Sequence, residues 1–329
     1  MIDSIENISF SIFEIFSDIN PLVPCYHVVS DDILPYVRHL YQYKNVNQFI
    51  KDMDFFARHF SPISLDDLMD YFKQGKEISK RSIIFTFDDG YKECYSVIAP
   101  ILYKKGIPAI FFVCSDLVDN RKMHYRNKAS LLVDLIIKDE TKVKILKSAI
   151  DYFAKMSTNE IVNHILTIGY KDQNGLDYMA EKIGLDFLEF LNYHQPYLTK
   201  LQIASMIKMG FYFGSHSKDH ANYEDLTLKE QLDQTVESTE FIKENFGLKY
   251  SIFAFPFGDK NISLKFFNSI SKHIDLTFGL NGILKDVAPF NVQRILFDNV
   301  KVSAKRIYRK QLIRKFFYKI KGKNILKRI

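Results

Sequence analysis

With 329 residues, 47% of them hydrophobic and 26% charged, the chain has the length of one large α/β domain with insertions, or of two domains, and the composition of an ordinary soluble globular protein. The net charge of +6 hides a split: residues 301–329 hold twelve Lys and Arg and no acid, so residues 1–300 carry −6 and the tail alone invites an anionic partner. Three cysteines without metal spacing argue against a disulfide framework, and no apolar run reaches the roughly 20 residues that span a bilayer. The amino terminus lacks a basic region, and Glu14 and Asp18 interrupt its apolar stretch, so no signal peptide is expected and a reducing, cytoplasmic setting fits.

Residues 22–29 read as a first strand that carries His27. A lone histidine beside a strand is more often a core or capping residue than a catalyst. Phe49, Ile50, Met53, Phe56 and Phe60 have helical spacing, and a second helix opens at a Ser64 cap and stops at Gly75. Residues 82–87 are then apolar or β-branched at nearly every position, as only a strand covered on both faces can be. That run stops at Asp88-Asp89-Gly90. Adjacent carboxylates at the C-terminal end of such a strand lie where parallel α/β folds place their chemistry, and they repel unless a cation or proton lies between them. A helix over residues 91–105 and a strand over 110–113 complete a βαβ unit, and hence a parallel sheet.

From about residue 116 to 197 helical periodicity takes over, which reads as a helical insertion between two strands. His124, His164 and His194 lie there without partners in the sequence and read as surface or packing residues. Tyr125-Arg126-Asn127-Lys128 reads as a solvated helix start sooner than a substrate contact. The strand-helix rhythm resumes at residue 198, with strands at 211–215, 251–257, 275–279 and 294–297 and a long helix over 228–246. About seven parallel strands joined mostly by helices predict a distorted (β/α) barrel over residues 1–300. The basic tail, 301–329, alternates cations with apolar residues. It reads equally as an amphipathic helix for an anionic membrane surface and as a final helix packed on the barrel. Nucleic acid fits poorly, since the body is acidic and no recognition motif is present.

His216 and His220 are spaced i, i+4 after a buried strand, which puts both imidazoles on one side of a helical turn or tight loop. Two histidines and a carboxylate are a common ligand set for a catalytic divalent metal. Three blocks, Thr86-Phe87-Asp88-Asp89-Gly90, His216-Ser217-Lys218-Asp219-His220 and Phe253-Ala254-Phe255-Pro256-Phe257-Gly258, occur in the order found in polysaccharide deacetylases. The chain resembles that group, the family-four carbohydrate esterases with their nodulation-deacetylase-like domain, over about residues 22–297.

The resemblance implies that Asp89, His216 and His220 hold a divalent ion, zinc first, with cobalt, nickel or manganese as alternatives. It implies that Asp88 is the general base, that the Phe257 N–H stabilises the oxyanion, and that Pro256 and Phe257 meet the substrate. Ser217 orients its loop, binds substrate or simply packs. The late Leu-x-His block that usually supplies the general acid is absent. His27, in Tyr26-His27, resembles the early histidine that serves as the acid in the branch with a circularly rearranged barrel. Many members carry an arginine two residues before the proline to hold the base. This chain has Ala254 there, and Arg294 is the natural substitute. The implied activity is metal-dependent removal of an acetyl group, N-acetyl before O-acetyl, from a sugar in polysaccharide or lipid-linked glycan metabolism. The setting would be the cytoplasm, peripheral to the inner membrane face, with an acetylated glycan or glycolipid as substrate. Another metal-dependent amide hydrolase on the same barrel, or an inactive glycan-binding relative, is the alternative.

Overall fold

The computed structural model describes residues 19–328. Eight strands form one sheet in which every pair is parallel: β1 (Pro24–Tyr26), β2 (Phe85–Phe87), β3 (Ala109–Val113), β4 (Tyr212–Ser215), β5 (Ile252–Ala254), β6 (Leu276–Gly279), β7 (Asn291–Gln293) and β8 (Ile295–Leu296). Their spatial order is β7-β6-β5-β4-β3-β2-β1-β8. The two edge strands are halves of one stretch, interrupted only at Arg294. Its first half pairs with β6 and its second with β1. That single stretch therefore carries the sheet round on itself, into a distorted barrel whose seven staves match the expected number.

Period-two alternation sorts the side chains. Tyr26, Phe85, Phe87, Phe111 and Phe213 share one apolar cluster with Phe49 and Phe56 of α1 (Val46–His59). The rings of Tyr26, Phe87, Phe111 and Phe213 stack from strand to strand at centroid distances of 5.8, 5.0 and 5.5 Å. Ile84, Ile110, Phe112, Ala254, Phe278 and Val292 form the other cluster, inside the barrel, with Leu65 and Leu68 of α2 (Leu65–Gln74). Each such side chain contributes about 1.5–3 kcal/mol when fully buried, so neither face of a strand can exchange with the other. This fixes Thr86 and Asp88 on the inner face. Gly90 follows at φ 69°, where a Cβ would come within 2.8 Å of the Val113 side chain, so the turn after the two aspartates admits only glycine.

Helices with side-chain caps fill the joints. Asn45 and Gln48 form a capping box on α1, Ser64 and Asp67 on α2, and Gly75 closes α2 in the left-handed conformation. Between residues 125 and 194 the chain forms five further α-helices, which gather their own apolar cluster around Leu132, Leu146, Ile161, Leu176 and Leu191. In the tail, Ala304–Ile320 is a helix whose Ala304, Ile307, Tyr308 and Leu312 are buried, with the Tyr308 ring 5.1 Å from Phe60. Ile325–Leu326 then pairs with Lys285–Asp286. Packing on the barrel is therefore the placement observed for the tail, and it uses the apolar residues that a membrane surface would need, leaving Ile313, Phe317 and Ile320 exposed. Among the described residues no helix is long and apolar enough to cross a membrane. The reading of the amino terminus as free of a signal peptide falls on residues 1–18, outside the described residues.

Candidate active site and metal centre

The C-terminal ends of the strands meet in a cavity of about 290 Å³ lined by His27, Tyr41, Asp88, Asp89, Tyr91, His124, Arg126, His216, His220, Phe255, Phe257 and Asp298, among others. Each motif reaches it by a bend. Asp89, Ser217, His220 and Phe257 all have positive φ, between 59° and 71°. Non-glycine residues held there cost about 1–3 kcal/mol each and cluster where function over-determines the backbone. The His216–His220 segment is thus a tight loop and not a helical turn.

One Asp89 Oδ1 lies 3.1 Å from His220 Nε2 and 3.5 Å from His216 Nε2. His216 Nδ1 faces the Ala254 carbonyl at 2.8 Å; it must be the protonated nitrogen, which leaves a lone pair on Nε2. Burial lowers the His220 pKa further than Asp89 restores it, and His216 and His27 lower it again, which favours the neutral ring. Asp89 resists its own burial through His220 and His216 and stays well below the usual carboxylate range. Lone pairs on three buried atoms therefore converge on one point, an arrangement that is unfavourable without a cation. Five buried side-chain polar atoms have no hydrogen-bond partner among the described residues, and three of them, Asp89 Oδ1, His220 Nδ1 and the Tyr41 hydroxyl, belong to residues of this cavity. The donor set fits a divalent ion.

Asp88, one residue back, is held differently. Arg294 Nη1 and Nη2 donate to its two oxygens at 2.6 and 2.8 Å, and Nε donates to the Gly279 carbonyl at 3.1 Å. The Arg294 side chain is fully buried against the Phe112 ring. Burial pushes the Asp88 carboxyl up, but Arg294 and His216 outweigh it, and the group lies below its ordinary value. The arginine absent at position 254 thus has a counterpart from the closing stretch of the barrel. Its direction follows from alternation: Val292 packs inside, Arg294 points the same way, and Leu296 and Asp298 line the cavity.

Close to Asp88, Asp298 grips His27, accepting from its backbone N–H at 3.2 Å and meeting Nδ1 at 2.5 Å. Burial disfavours the imidazolium, yet Asp298 prevails and raises the His27 pKa to about 10. Phe257 is half exposed at the centre of a tight turn closed by Gly258 N–H to the Pro256 carbonyl at 2.7 Å, and its own N–H has no hydrogen-bond partner among the described residues. Its ring stands edge-on to His220 at 4.7 Å.

Neither Ser217, for which the sequence leaves loop, substrate and packing roles open, nor Pro256, expected at the substrate, lines the cavity. Ser217 is fully buried, its Oγ accepts from the His220 N–H at 2.9 Å, and it therefore orients the loop. Pro256 is buried behind the turn and does not line the cavity. His124 departs from expectation the other way. It is 4% exposed, lines the cavity, and sets its ring 4.0 Å from that of His220. Burial and then His220 hold its pKa well below the usual histidine range. Arg126, read as solvated, also lines the cavity. His164 and His194 stay away from it.

Among solved structures, the deacetylase PplD of Streptococcus pyogenes in complex with acetate is 14% identical, with a TM-score of 0.58 over 90% of this chain and 99% of that one. IcaB from Ammonifex degensii is 17% identical, with a TM-score of 0.55 over 90% and 96%. A de-N-acetylase from Aggregatibacter actinomycetemcomitans is 15% identical, with a TM-score of 0.52 over 87% and 98%. These likenesses establish the fold. No curated protein matches the chain. Residues 75–273 match the family described as polysaccharide deacetylase, more than half of the chain, and with the blocks at 86–90, 216–220 and 253–258 gathered on one cavity the chain belongs to that family.

Proposed function

We propose that the protein is a metal-dependent hydrolase that removes an N-acetyl group from a sugar of a polysaccharide or lipid-linked glycan. The observation that carries this reading is the convergence of Asp89, His216 and His220 beside an Asp88 held by Arg294. A divalent ion there, zinc in the first place, would polarise the acetyl carbonyl and acidify a water. The protein's own groups do the rest. Asp88, ionised and fixed by Arg294, takes the proton of the attacking water. The Phe257 N–H, without another partner among the described residues, donates to the carbonyl oxygen as negative charge gathers on it. His27, held protonated by Asp298, gives its proton to the nitrogen as the C–N bond breaks, so acetate and a free amine leave. Phe257, Tyr41 and Tyr91 supply the aromatic wall on which a sugar ring can lie, in a chain without tryptophan. Support for N-acetyl comes from the neighbour described as a de-N-acetylase. An inactive relative would be favoured by an Asp88 with no cation to hold it, and the Arg294 fork speaks against that reading.

The test is acetate release from acetylated glycans by purified protein, with and without a chelator, alongside metal analysis. Asp88→Asn should abolish nearly all release while keeping the ion. Full release by that variant, or release unaffected by complete metal removal, would overturn the reading.

A further inference from the structure

His124 opens the helix Tyr125–Lys138, and its Nδ1 accepts the Arg126 N–H at 2.8 Å as that helix's N-cap. An imidazolium has no lone pair with which to accept that bond, so the cap itself requires a neutral ring whose proton is on Nε2. The rest of the residue is equally fixed. Its N–H donates to the Tyr197 hydroxyl at 3.0 Å, and its ring stacks on Tyr125 at 5.1 Å and 9°. Tyr197 in turn donates to the buried Asn127, which donates to the Tyr91 hydroxyl at 2.9 Å. The Nε2–H has no protein acceptor among the described residues, although the side chain is buried and lines the cavity.

Two consequences follow from that tautomer. A nitrogen that carries a proton cannot coordinate, so His124 is kept off the ion despite its 4.0 Å approach to His220, and three protein ligands leave the remaining positions open. Nor can His124 accept the proton that His220 Nδ1 must carry if Nε2 is a ligand. Neither ring then satisfies the other: the His220 Nδ1 is buried without a partner among the described residues, and the His124 Nε2–H is left for another acceptor.

We propose that His124 is a substrate-binding residue, its Nε2–H donating to an oxygen of the acetylated sugar, so that the helical insertion supplies one wall of the specificity pocket. The proposal rests on the deacetylase reading but is tested by binding, not by turnover. The inactive Asp88→Asn protein is titrated with an N-acetylglucosamine oligomer by calorimetry, with and without a change at His124. His124→Asn keeps a favoured N-cap residue but is too short to reach the sugar, and His124→Gln has the length to return an N–H donor. The expected result is about tenfold weaker binding for Asn, the upper end of what one neutral hydrogen bond is worth, with recovery in Gln. Bound metal should match the parent in both, whereas Gln, which does not cap, should lower the thermal stability and Asn should lower it less. Unchanged binding in the Asn variant, no binding by the parent, or loss of the metal on substitution would each overturn the role. Acetate release by the wild-type chain judges the deacetylase reading separately.

Discussion

Two arginines, Arg294 and Arg328, both bury their side chains and use their charge differently. Both side chains are fully inaccessible, and both grip aspartates. Arg294 gives its whole fork to one carboxylate that faces the cavity. Arg328, almost at the end of the tail, is shared between Asp259 and Asp286, the carbonyls of Asp259 and Ile262, and the Phe267 ring 4.3 Å away. Those two aspartates also accept from the Asn291 and Gln293 side chains, and Asp259 from the Leu280 N–H as well. Asp259 fits at all only because residue 279 is glycine: a Cβ there would fall 2.3 Å from its carboxylate. The same strand serves both clusters, Asn291 and Gln293 on one face and Arg294 on the other. Buried ion pairs, then, differ by how many donors surround the acid. Asp88, on the cavity lining, accepts from Arg294 and the Cys25 thiol, while Asp259 and Asp286 accept from Arg328, side-chain amides and the backbone as well.

The comparison breaks most readily at Arg294. Removing one partner of a buried pair costs about 3–5 kcal/mol because the other charge is stranded. Arg294→Ala should therefore lower stability and kcat together, and Arg294→Lys separates the two effects by keeping the charge and losing the fork. In the lysine variant kcat should fall by at least about 100-fold, the low end of what a positioned base supplies, with the metal retained. Wild-type kcat in Arg294→Lys would sink the positioning role. Arg328→Ala strands two acids of comparable burial, so its stability loss should approach that of Arg294→Ala, while kcat measured below the new Tm falls far less. Equal losses of kcat in the two variants would erase the distinction.

How much of this was legible in the sequence follows the same division. The aspartate pair, the two histidines and the strands that carry them could be read, because period-two apolar runs end abruptly in polar residues. Arg294 was legible as a substitute for the residue missing at 254, and counting on by two from it reaches Leu296 and Asp298, a signal for Asp298 that was there to be used. His124 had no such signal. Its importance comes from a cap made by a histidine, an uncommon choice beside Ser, Asp or Asn, and from a ring contact with His220 that only the closed barrel creates. Ser217 and Pro256 were placed at the substrate because they belong to the motifs, but a motif residue can serve the backbone: one holds the His220 loop and the other shapes the turn under Phe257. In the tail, composition left packing and a membrane surface equally open, because nothing in a run of twelve cations marks Arg328 as the one that grips Asp259 and Asp286.

Acid should loosen the Arg328 cluster before the barrel. Burial raises the Asp286 pKa, but the Arg328 hydrogen bond and its neighbours bring it below the ordinary value. A depressed carboxylate contributes stability that is present above its unfolded value near 3.8 and is lost as pH falls through the folded one. Hydrogen exchange at the paired Ile325–Leu326 backbone should rise in that window ahead of exchange in β2 and β3, and Arg328→Ala should show the faster exchange already at neutral pH. Simultaneous loss of tail and barrel protection would mean that the clasp is not a separate unit.

His27 and Asp298 extend the comparison to a cation that can be titrated. Here the raised pKa has the opposite sign: the pair's stabilisation is full below the unfolded value of 6.5 and disappears as pH climbs through about 10. If His27 is the acid, the alkaline limb of kcat follows the same proton. Asp298→Asn keeps the shape of the side chain and removes the charge that holds the proton, so the limb should move toward lower pH, while kcat on its acid side is retained. Arg294 and Arg328 have no such limb, because a guanidinium keeps its proton throughout. A limb that stays in place in Asp298→Asn would assign the departing proton to another group and leave His27 as a wall of the cavity.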